Sequence, residues 1–141
     1  MKLSKSFLIL AAILGMAAPV TSAELGDASK LPPAAKKEIN FAKDIKPVME
    51  KCCMQCHTEK DGKKPKGKYS MDTRDKMIKG GSSDDAAIIP GNSAKSPMVH
   101  NMADLVKDSE MPPLDKREKY PPLNKEEIGL IRAWIDQGAK W

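Results

Sequence analysis

The chain has 141 residues, with 24 Lys and Arg against 19 Asp and Glu for a net charge of +5, and only 4% aromatic side chains. That length suits one modest domain. The basic surplus falls to +3 (22 basic, 19 acidic) once residues 1–23, which hold Lys2 and Lys5, are set aside, and so small a surplus argues against nucleic acid as a partner.

Residues 1–23, MKLSKSFLILAAILGMAAPVTSA, read as a secretory signal peptide: a charged start, an apolar run from Phe7 to Ala18, and small residues Thr21 and Ala23 at the cleavage point. The run is shorter than the about 20 apolar residues needed to span a bilayer. No later segment is a candidate span. Cleavage near Ala23 predicts an exported, periplasmic chain of 118 residues, Glu24–Trp141.

Residues 24–40 are polar, broken by Pro32-Pro33, and read as a flexible leader. The domain is predicted to run over 41–141. Phe41, Ile45, Val48, Met49 and Cys52 recur at helical spacing, so a first amphipathic helix is expected, with Asp44 as its cap and Pro47 in its first turn. This helix leads straight into KCCMQCHTEK, residues 51–60.

Beyond it, DGKKPKGK (61–68) is a basic loop, and Thr73 to Ile78 reads as a short helix capped by Thr73 and stopped by Gly80-Gly81. Ser93 is expected to start another helix, running through Pro97 to Val106. A loop with two Pro-Pro pairs, Met111 to Pro122, comes next. Asn124 with Glu127 forms a capping-box pattern ahead of a final helix whose apolar face is Ile128, Ile131, Trp134 and Ile135, closed by Gly138. Period-two alternation is absent, so the expected fold is all-α with long Pro/Gly loops.

The chemistry concentrates in Cys53-Met54-Gln55-Cys56-His57, a C-x-x-C-H. Two thiols three residues apart on a helical turn reach the two vinyl groups on one porphyrin edge and form thioethers, and the next imidazole can bind the iron; the pattern is that of c-type haem attachment. One covalent haem c would also supply apolar bulk to a core with few large side chains. A Cys53/Cys56 disulfide or redox pair suits the same compartment but lacks a thioredoxin-like βαβ pattern. A zinc site needs four converging ligands. Cys52 is left over: a packed thiol on the first helix, an alternative attachment point together with Cys56, or an intermolecular disulfide partner.

With His57 on one face of the iron, the second axial position decides carrier against catalyst or gas sensor. Met49, Met71, Met77, Met98 and Met102 lie on or near helices and read as core, whereas Met111 opens the stiff Met-Pro-Pro loop and is the chosen distal ligand. Met98 and Met102 remain alternatives. So does His100, which otherwise reads as an ordinary, partly exposed helix residue.

In order, FAKDIKPVMEKCCMQCH, YSMDTRDKMIKGG, IIPGNSAKSPMV, EMPP and LNKEEIGLIRAWIDQGAKW resemble the planctomycete-type cytochrome c domain over Phe41 to Trp141. The resemblance implies a small cytochrome c-like fold around one covalent haem c, bound through Cys53 and Cys56, with His57 and the Met-Pro-Pro methionine, Met111, on the iron. It departs from the family pattern at Cys52 and at Met71, Met77 and Met98, where leucines are expected. The functional expectation is a free-standing, monomeric single-electron carrier that docks transiently on redox proteins and is no enzyme. A haem enzyme or sensor with an open sixth site, or a non-haem C-x-x-C protein, are the alternatives.

Overall fold

The structure is a computed structural model that describes residues 25–83 and 85–141; the signal peptide expected over 1–23 lies outside the described residues. The chain is helical, and among the described residues the one β-type contact is an isolated bridge between Lys60 and Lys63. No helix among them is long and apolar enough to cross a membrane.

The first helical run begins one turn earlier than predicted. Asn40 is its cap, accepting from the Lys43 amide at 3.0 Å, while Asp44 reaches back to accept from the Asn40 amide at 2.9 Å and pairs with Lys37 at 2.7 Å. Asp44 is thus the returning half of a reciprocal cap rather than the cap itself. Residues Phe41–Ile45 form a wide π-helical turn before α1, Lys46–Cys52. Pro47 explains the handover, because it has no N–H to give and its ring would crowd the carbonyl four residues back in an ordinary α-turn. Cys53 interrupts the helix, and α2, Met54–His57, follows at once.

The short helix α3, Arg74–Lys79, has Thr73 as its cap and ends at Gly80, whose φ of 93° favours glycine, as read from the sequence. The expected helix from Ser93 to Val106 is instead two pieces. Asn92 caps a 3₁₀ turn, Ser93–Lys95, and α4, Pro97–Met102, starts afresh. A residue preceding proline is disfavoured in helical geometry. Ser96 accordingly sits extended and breaks the run. Asp104, at φ 57°, ends it before Val106.

The longest helix, α5, Lys125–Asp136, has the predicted capping box, with the Asn124 side chain accepting from the Glu127 amide at 2.8 Å and Glu127 accepting from the Asn124 amide at 2.9 Å. Gly138, at φ 94°, turns the chain so that the Gly138 and Ala139 amides bond the Ile135 and Trp134 carbonyls. Arg74 of α3 then donates to the carbonyls of Gly138 and Ala139. Ile128, Ile131, Trp134 and Ile135 are buried and meet Phe41, Ile45 and Met49 from the first helical run. Trp134 lies 5.4 Å from the Phe41 ring, which also stacks on Trp141 at 4.1 Å. Each such buried side chain contributes about 1.5–3 kcal/mol.

The stretch read as a flexible leader is packed onto α5. Leu31 and Pro32 are buried, the Ala35 amide donates to the Gly129 carbonyl at 2.9 Å, and Arg132 donates to the Pro32 carbonyl. Gln137 accepts from the Ile39 amide at 2.9 Å and donates to the Lys37 carbonyl at 2.8 Å. A Cβ on Gly129 would lie 2.7 Å from the Pro33 carbonyl oxygen, so the missing side chain is what admits this strap. Before the strap Asp27 caps a 3₁₀ turn, Ala28–Lys30, and beyond that turn its backbone groups find partners at Gly129, Arg132 and Gln137.

Candidate functional site

The break at Cys53 builds the site. Its carbonyl accepts from the amides of both Cys56 and His57 at 3.1 Å, so the two residues are carried on one tight turn beginning at Cys53. Both Cys53 and Cys56 are half-buried free thiols.

His57 is held from two directions. Its Nδ1 lies 3.2 Å from the Tyr69 carbonyl, and its own carbonyl accepts from the Met71 amide at 2.6 Å. A carbonyl can only accept, so Nδ1 carries the ring proton and Nε2 keeps a free lone pair. Burial pulls the imidazole below its ordinary pKa, against the opposing pull of the Tyr69 and Lys66 backbone. The ring is neutral at neutral pH, the form in which it binds a metal.

Tyr69, which sequence reasoning passed over as one of few aromatics, is central here. Its ring meets the His57 ring edge-on, with centroids 5.2 Å apart. Its hydroxyl is within donating distance of the Met77 carbonyl, 3.1 Å, and of the Met98 Sδ, 3.3 Å. Burial, and secondarily Cys53, push the phenol well above its usual range, so it stays a donor. The only advance signal was position: Tyr69 ends the basic loop that returns the chain to His57.

Around this centre the methionines divide. Met98 is tied to the Tyr69 hydroxyl, Met77 lends that hydroxyl its carbonyl and Met71 bonds the His57 carbonyl, so all three gather on the Tyr69 side of His57. Met102 is buried on α4. Met111 is half-buried, its amide donating to the Asn101 carbonyl at 2.9 Å. It precedes a cis peptide to Pro112, whose carbonyl accepts from Arg117 at 3.0 Å, and Arg117 also pairs with Asp104. Beyond Pro112, Asp115 pairs with Lys116 at 2.8 Å.

His100 is not the partly exposed residue expected from the sequence. It is fully buried, with Nε2 2.8 Å from the Ala94 carbonyl, and its Nδ1 has no partner among the described residues. Cys52 is buried as a packed thiol, with its sulfur 3.5 Å from that of Cys53. Two clefts among the described residues are lined by residues outside α2. One, of about 620 Å³, is lined by Lys36, Ile39, Trp134, Gln137 and Lys140 among others, and the second, of about 280 Å³, by Asp72 to Asp75 and Trp141.

Two adjacent half-exposed thiols and a neutral imidazole with a free Nε2 form the donor set that a covalently held haem requires. In line with this, the family model described as planctomycete cytochrome C matches residues 53–115, from the first cysteine of the motif to four residues past Met111. The matched segment contains Cys53, Cys56, His57, Tyr69 and Met111 and is similar to the family so described. Similarity to a cytochrome c family points to haem binding and electron transfer. Comparison with curated proteins and with solved structures finds no match.

Proposed function

We propose that the protein is a periplasmic c-type cytochrome that carries single electrons between redox partners, with Cys53 and Cys56 holding one haem c through thioethers and His57 and Met111 as axial ligands. The observation that carries this reading is the bond from His57 Nδ1 to the Tyr69 carbonyl, which leaves Nε2 as a fixed, neutral donor beside the two thiols. When bound, haem c supplies a one-electron couple, and a Met/His pair raises its potential while leaving no open coordination position.

The chain's own residues do the rest. Tyr69 fixes the tautomer and the tilt of His57, an outer contact of the kind that raises ligand basicity. Met98, whose sulfur is occupied by the Tyr69 hydroxyl on the His57 side, is the poorer distal candidate. His100 has its Nε2–H on the Ala94 carbonyl and keeps a buried Nδ1 without a partner among the described residues, so it stays the imidazole alternative. Met111 sits outside the helices, on a loop pinned at Asn101 and Arg117.

Absorption spectra of the oxidised and reduced protein, repeated for Met111→Ala, test the assignment. The wild type is expected to have a methionine-ligated spectrum and to refuse carbon monoxide; the variant is expected to lose the first and gain the second. Carbon monoxide binding by the wild type would favour the sensor or enzyme reading, and an unchanged variant spectrum would mean a different sulfur.

The exposed lysines 63, 64, 66 and 68 make no ion pair among the described residues, and their loop ends at the residue holding His57. An acidic redox partner would dock there. Electron transfer should slow as salt is added, and the salt effect should shrink when these lysines become glutamines.

A further inference from the structure

The electron-carrier reading uses two of the three cysteines. In an uninterrupted α-helix, successive side chains leave the axis about 100° apart. The sulfurs of Cys52 and Cys53 nevertheless lie 3.5 Å from each other, at the junction of α1 and α2, where Cys53 keeps right-handed helical angles of φ −98° and ψ −52°. The other polar contact of the Cys52 sulfur is a long one, 4.0 Å to the Val48 carbonyl. Cys53 and Cys56 are three residues apart and Cys52 and Cys56 four, and both spacings place side chains on one helical face.

We propose that Cys52 is a second acceptor for the vinyl group assigned to Cys53, so that the chain can close that thioether through either sulfur; this rests on the haem c reading above. The step is an addition. The thiol sulfur bonds the vinyl carbon next to the ring, the thiol hydrogen goes to the terminal vinyl carbon, and the carbon–carbon double bond becomes single. Nothing is released, and no oxidant or reductant is consumed. The two sulfurs lie within about one atomic diameter of each other, Cys52 buried and Cys53 half-buried. The spacing of C-x-x-C-H selects Cys53, but here it does not select it alone.

The test is peptide mapping by mass of protein exported in a host with haem-attachment machinery. Cys53→Ala is expected to keep covalent haem with two thioethers, at Cys52 and Cys56, whereas the Cys52→Ala/Cys53→Ala double variant keeps one. Haem held through Cys56 alone in Cys53→Ala would overturn the proposal. Should that variant fail to accumulate, alkylation of the remaining thiol in denatured wild type decides: label divided between Cys52 and Cys53 supports the proposal, and label on Cys52 only refutes it. A wild type without covalent haem would instead sink the haem c reading itself, a result distinguishable from the other two.

Discussion

The C-terminal helix and the cysteine-bearing turn achieve order by opposite means. The twelve residues of α5 carry their own start signal, stop signal and apolar stripe, and they are tied to the strap over residues 31–39, to Phe41 and to Arg74. The four residues of α2 have none of this: no side-chain cap, no buried residue, and a start at a break in the helix before it. What orients α2 comes from elsewhere, chiefly the Tyr69 carbonyl and the Met71 amide on either side of His57. The scaffold is stable by burial, and the site is shaped by a few polar contacts.

This division predicts that scaffold substitutions lower stability while leaving the haem spectrum alone. Trp134→Ala removes the largest fully buried side chain and should cost about 3–5 kcal/mol in thermal or denaturant unfolding of the exported protein. Gly129→Ala gains up to about 1 kcal/mol of helix propensity. It also drives a methyl group to 2.7 Å from the Pro33 carbonyl oxygen, and overpacking at about 1–3 kcal/mol wins. Amide exchange at Ala35 should rise in that variant, since its partner is the Gly129 carbonyl. Asn124→Ala opens the capping box and should cost about 1 kcal/mol. A spectral change in any of the three as large as that of Met111→Ala would erase the distinction between scaffold and site.

The same division governs what could be read in advance. Helix α5 was legible to its caps because capping box, stripe and terminal glycine are all local, and Thr73 with Gly80 marked α3 for the same reason. The motif at Cys53, Cys56 and His57 was legible because porphyrin geometry dictates its spacing. The strap was not, since its partners Gly129, Arg132 and Gln137 are some 100 residues away and each amounts to one unremarkable letter. Tyr69 was missed because its main contribution to His57 is a backbone carbonyl, which no side chain announces. The burial of His100 follows from Ala94 lying one turn ahead across the break at Ser96, a break that turned on the proline rule rather than on hydropathy.

The claim that these thiols and His57 hold haem c is tested most directly by exporting the protein alongside haem-attachment machinery, extracting it with acidified organic solvent, and weighing the peptide that spans residues 52–57. The account predicts a coloured protein whose haem resists extraction and a peptide heavier by one haem joined through two thioethers. A colourless protein, or colour lost entirely on extraction, would contradict it.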